Sequence, residues 1–217
     1  MDWAPVDIYC ERLEPGLWAE PINALTNLAF LLAATIVWPR VRGDVAAELL
    51  ALSIALIGIC SGLFHTLAVG WAGAADSLSI AVFILIYLYT ATTLLFGAPW
   101  WGGLLAVVAF FPYAIFATQG LTALLGPLNG STAYVSVLLL IVLYALAAIP
   151  NHPRTGGGMI GGALVLAISI AFRSIDDAVC PSFPLGTHFL WHCLNALMLG
   201  WMVLVIHRAA PGRPAQS

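Results

Sequence analysis

The sequence predicts an all-helical, polytopic membrane protein, a bundle of seven transmembrane helices, and three observations carry that prediction. Of 217 residues, 62% are hydrophobic and 8% are charged, against about 25% charged in ordinary soluble domains. Seven apolar runs are long enough to cross roughly 30 Å of hydrocarbon. The breaks between them hold the proline, glycine and polar residues that interrupt a spanning helix. A soluble fold of this length could not cover so much apolar surface, so lipid is the expected solvent.

The runs follow one another with short connections. The first, Ile22–Trp38, stops at Pro39-Arg40, and the second, Val45–Val69, stops at Gly70-Trp71. The third, Ala74–Phe96, is closed by Gly97-Ala98-Pro99. The fourth, Trp100–Thr118, contains Pro112, where a kink is expected. Gly126-Pro127 precedes the fifth, Thr132–Ile149, and Pro150-Asn151-His152-Pro153 ends it. The sixth, Gly157–Phe172, opens on glycines, and the seventh, Gly186–Ile206, follows Pro181 and Pro184. The expected organisation is an acidic entry segment over 1–21, a helical domain over 22–207 and a short tail over 208–217.

Charge sets the expected orientation. With the N-terminus outside, Arg40, Arg42, Arg154, Arg208 and Arg213 lie inside, and Arg12 and Arg173 lie outside. That is the direction of the positive-inside rule, and it makes the C-terminal tail cytoplasmic. There is no lysine and no basic cluster, which excludes nucleic-acid binding as an expectation. The first apolar run is expected to act as the insertion signal. The absence of an organelle signal points to a bacterial inner membrane.

Three histidines stand apart from the other two. His65 lies late in the second run, and His188 and His192 lie early in the seventh. A spacing of four puts His188 and His192 on one helical face, one turn apart. The second run heads outward and the seventh starts from outside, so all three fall at a similar depth. Ionisable groups within spans cost about 2.5–3.5 kcal/mol each on insertion scales and are functional by default. Three imidazoles with an open fourth position describe a catalytic zinc site. Asp76, at the start of the third run, is placed to take a proton from the metal's water. Ser61, one turn before His65, either donates to the water or a developing oxyanion or is a packing group. His152 and His207 are expected to be solvated. Asn23, Asn27 and Asn195 read as interhelical hydrogen bonders or as partners of the metal histidines. Cys60 and Cys193 read as free thiols.

An ordered set of motifs resembles the alkaline ceramidase family in its bacterial form. Tyr9-Cys10-Glu11 is followed by Glu20-Pro21-Ile22-Asn23, then Ser61-Gly62-Leu63-Phe64-His65, then Asp76, then His188-Phe189-Leu190-Trp191-His192. The resemblance runs from Tyr9 to about Ile206. It implies a seven-helix intramembrane hydrolase with zinc on His65, His188 and His192, catalysis by Asp76 and Ser61, and ceramide as the membrane-lipid substrate, cleaved to sphingosine and a fatty acid. With the N-terminus outside, the expected topology turns the active site towards the periplasm. The resemblance also implies a calcium site on the acidic N-terminal segment, with Asp7, Tyr9, Glu11, Glu14 and Glu20 as the candidate ligands. Ile8 and Leu13 stand where the family has an acid and an asparagine. The resemblance further implies a disulfide between Cys10 and Cys180. The wider superfamily also holds receptor-like proteins and other lipid hydrolases, which the histidine pattern does not separate.

Overall fold

The computed structural model describes residues 3–12 and 16–210. Among them the architecture is helical, apart from an isolated backbone bridge between Pro5 and Val69. α1 (Pro21–Thr26) and α2 (Leu28–Val41) run together as one apolar helix. Pro21 suits the first turn, where its missing N–H is not needed. α3 (Val45–Leu67) starts at Asp44, whose carboxylate accepts the Ala47 amide at 3.3 Å. α4 (Gly70–Leu95), α5 (Trp100–Leu125) and α6 (Thr132–Ala148) follow. α7 (Pro153–Ser174), the single turn α8 (Asp176–Val179) and α9 (His188–Arg208) complete the chain.

Six of these helices are long and apolar enough to cross a bilayer, counting α1 and α2 as one. α6 is apolar but shorter, with 17 residues, or about 25 Å of rise. The ends differ from those expected in ways with local causes. The second run stops before Val69, because Ala68 takes a left-handed conformation (φ 43°) and its carbonyl accepts the Val6 amide at 2.8 Å. The third helix therefore begins at Gly70. The fourth continues past Thr118 to Leu125, where Thr122 bonds the Thr118 carbonyl at 2.8 Å and the Thr132 hydroxyl at 2.9 Å. The sixth begins at Pro153, with its glycines inside the helix.

Those glycines have a packing role. A Cβ at Gly158 would meet Val205 at 2.8 Å, and one at Gly162 would run into the Met202 side chain. Small residues let α7 and α9 approach closely, as in membrane helix pairs. Each helix from α2 to α7 packs on the next, α9 packs on α7, and α9 closes the ring against α2. α3 also touches α9, so these two meet across the interior. The outside is apolar: α5 buries only Gly103 and exposes Leu105, Val108, Phe111 and Phe116. Such a surface is suited to hydrocarbon rather than water.

Candidate metal centre

The end of α3 meets the start of α9, and α1 packs against both. This junction brings His65, His188 and His192 together, each about 1% exposed. Ring centroids lie 5.1 Å apart for His65 and His188, 4.6 Å for His65 and His192, and 4.7 Å for His188 and His192. One nitrogen from each ring lies within 4.8 Å of one from each of the others. Two nitrogens on one zinc stand at most about 4.2 Å apart, given Zn–N near 2.0–2.1 Å. The cluster therefore closes round an ion with shifts on the order of 1 Å.

The outer ring nitrogens fix the tautomers. His65 Nδ1 lies 2.5 Å from Glu20 Oε2, a carboxylate that can only accept when ionised, so this nitrogen carries the proton. Thr26 Oγ1 lies 2.9 Å from His192 Nδ1 and has the Ile22 carbonyl at 2.8 Å to donate to. Its lone pair is then free to accept from His192 Nδ1–H. Both histidines are left with a bare Nε2. His65 Nε2, His192 Nε2 and His188 Nδ1 are all buried with no hydrogen-bond partner. Three buried imidazole nitrogens without partners are unfavourable unless a cation sits among them, and a carboxylate behind a ligating histidine is a recurrent support of zinc sites. The residues present fit the ion.

Asp76 projects from the second turn of α4. Its carboxyl stands near His65 and the Ser61 side chain. Its Oδ1 is buried without a partner. Asp76 is absent from the ligand cluster, which among the described residues consists of the three histidines. The arrangement leaves Asp76 an unsatisfied acceptor beside the cluster rather than a fourth ligand.

The N-terminal segment lies across this junction as a strap. The Tyr9 ring stacks on His188 at 3.7 Å and leans on His65 at 5.1 Å. Burial raises the Tyr9 hydroxyl above its ordinary range, with Arg173 partly opposing, so it stays neutral. Arg173 Nη2 reaches that hydroxyl at 3.5 Å, and its guanidinium faces the rings of Tyr9, Tyr134 and Trp191. Cys10 and Cys180 form a disulfide with Cα atoms 5.5 Å apart. Fully buried Asp176 accepts the amides of Cys10 (3.0 Å), Thr187 (2.6 Å) and His188 (2.9 Å). It thereby caps the helix that carries two of the histidines. Gly186 (φ 62°) makes the close approach, since a Cβ there would collide with the Asp176 carboxylate.

Two of the acidic residues expected to hold calcium, Glu11 and Glu20, are otherwise engaged. Glu11 accepts the Ile22 and Asn23 amides at 2.7 and 2.8 Å, capping α1. Glu20 accepts Arg12 Nε at 2.7 Å, His65 Nδ1, and Asn23 Nδ2 at 3.3 Å. Burial alone would push the Glu20 carboxyl up, but the hydrogen bond of His65, then the bond and charge of Arg12, hold it below its usual value. Asp7 is exposed, the Tyr9 carbonyl accepts the Arg12 amide at 3.2 Å, and Glu14 lies outside the described residues. Asp7, Glu11 and Glu20 form no compact ligand group among the described residues.

Other sequence expectations resolve locally. Asn195 bonds Ser169 of α7 at 3.0 Å, an interhelical contact, whereas Asn27 bonds the Asn23 carbonyl within its own helix at 2.8 Å. Cys60 and Cys193 are free. His207 is not simply solvated, since it pairs with Asp44 at 2.8 Å. The roles of Thr26, Asp176 and Arg173 had no sequence signal, because each depends on partners distant along the chain.

Beside the histidines an apolar cavity opens between the helices. It holds about 880 Å³ of empty volume, counting its mouth, and its wall includes Phe30, Phe83, Tyr134, Trp191, Asn195 and Met198. Phe30 meets the His192 ring edge-on at 6.3 Å. No protein-family model matches this chain, and no curated protein matches it.

Proposed function

We propose that this chain is a seven-span membrane hydrolase with a zinc ion on His65, His188 and His192, cleaving the amide bond of ceramide to sphingosine and a fatty acid. The observation that carries the reading is the trio of buried, partnerless imidazole nitrogens with the unsatisfied Asp76 carboxylate beside it. Zinc bound there supplies Lewis acidity and lowers the pKa of a bound water towards about 7. Asp76 takes one proton from the attacking water and hands it to the amide nitrogen as the C–N bond breaks. The water oxygen ends in the fatty-acid carboxyl group, and the proton leaves with the amine. Ser61, near Asp76, offers its hydroxyl to the developing oxyanion.

The apolar cavity supports a lipid substrate. Its wall is almost wholly apolar and offers an acyl chain little to hydrogen-bond. The substrate enters sideways from the bilayer, between helices whose outer faces are apolar. α6 is the seventh span, completed by the turn before it. The metal lies towards the periplasm, because Arg40, Arg42, Arg154 and Arg208 sit at the opposite ends of α2, α7 and α9. A bacterial inner membrane suits both that charge bias and an oxidised Cys10–Cys180 pair.

The test is turnover by purified protein in detergent, with ceramide set against a panel of other lipid amides and esters. Release of fatty acid from ceramide by zinc-loaded protein supports the assignment. Turnover of another lipid alone would redirect it to a related hydrolase. A protein that binds zinc and hydrolyses nothing would be receptor-like, with the metal structural.

A further inference from the structure

The resemblance implies a calcium ion on the N-terminal strap, and the described donor set does not fit one. Calcium takes six to eight oxygens. Both Glu11 oxygens point at backbone amides, and both Glu20 oxygens are taken by Arg12, His65 and Asn23. A positive charge is already buried here: the Arg12 and Glu20 side chains are 4% and 2% exposed. A divalent ion on Glu20 would sit against that guanidinium and be repelled by it.

We infer that the Arg12 guanidinium is the strap's built-in cation, so that the entry segment closes over the histidine cluster without calcium. The connection is continuous. Arg12 holds Glu20 at 2.7 Å, Glu20 holds His65 at 2.5 Å, and the next residues inward from Arg12 are Glu11, which caps α1, and Cys10, which is bridged to Cys180. A charge carried by the chain does this at any calcium concentration. A bound ion would make closure of the strap follow the calcium level outside the cell.

The inference concerns the same site as the proposed hydrolase, but its test reads ion binding and unfolding, so it stands or falls apart from turnover. Purified full-length protein, freed of loosely bound calcium, is titrated with calcium to about 1 mM, the weak end of extracellular sites. Magnesium serves as the control. The melting temperature and bound radioactive calcium are measured in detergent. The expected result is no stoichiometric calcium and no shift beyond that given by magnesium. One calcium bound per chain, or a melting temperature raised by calcium alone, overturns the inference. Arg12→Gln is expected to melt lower and to lose zinc faster to a chelator, while Arg12→Lys keeps most of both. An Arg12→Gln protein that matches the unmutated one in both respects also overturns it. Should Arg12→Gln fail to fold, the calcium titration of the unmutated protein decides alone.

Discussion

Glu20 and His65 meet at 2.5 Å across two helices, one residue standing just before α1 and the other in the last turn of α3. The contact fixes which imidazole nitrogen faces the cluster. Glu20→Gln replaces an acceptor with an amide that can present either a donor or a weaker acceptor. Zinc affinity is expected to fall about 10–100-fold, the usual loss for such a supporting carboxylate. Competition with a chromophoric zinc chelator measures it.

The ligands themselves are tested by metal content. The unmutated protein is expected to carry about one zinc per chain, and His188→Ala, with two imidazoles left, to lose most of it on dialysis. Elemental analysis of the purified proteins reads the difference. A His188→Ala protein with full zinc and full activity would falsify the ligand set.

Asp76→Asn separates chemistry from metal binding. The carboxylate lies outside the ligand trio, so zinc content is expected to stay. The amide cannot take up the proton, and turnover is expected to drop about 10²–10⁴-fold, the usual worth of a general acid–base group. Parallel zinc and ceramide assays on one preparation check both halves.

Asp176→Ala tests the cap of α9. It leaves the amides of Cys10, Thr187 and His188 without their acceptor in a buried place. A hydrogen bond to a charged group contributes about 1.5–3 kcal/mol, and three share this carboxylate. A fall in the detergent melting temperature is expected, together with weaker zinc retention. A cap that mattered to neither would show both unchanged.

Ala91→Phe probes the cavity. Ala91 is fully buried and lines its wall, so a phenyl ring there removes room for a chain. Turnover of long-chain ceramides is expected to fall by about tenfold relative to short-chain ones, a discrimination within the range that apolar pockets reach. A chain-length series with unchanged ratios would argue against the cavity as the acyl site.

The histidine trio was legible because imidazoles stand out in a run of aliphatic residues and a spacing of four has one geometric meaning. Helix existence was legible for the same reason of period and length. The strap was not, since nothing periodic marks residues that fold back on helices far along the chain. Ala68 shows the effect on boundaries: its left-handed turn is held by Val6, and no local rule would place the end of α3 there. Tyr9 is expected among the calcium ligands, whereas its ring is what covers His188. Glu20 was read as facing an ion, whereas it faces an arginine and a histidine.

The bridge between Cys10 and Cys180 spans 170 residues, and the histidine cluster likewise needs α9, the last of the described helices. Neither can form while the ribosome is still delivering the middle of the chain. An unfinished protein therefore carries His65 without its two partners from α9. The order of synthesis itself leaves the three-histidine cluster unassembled until α9 has been made.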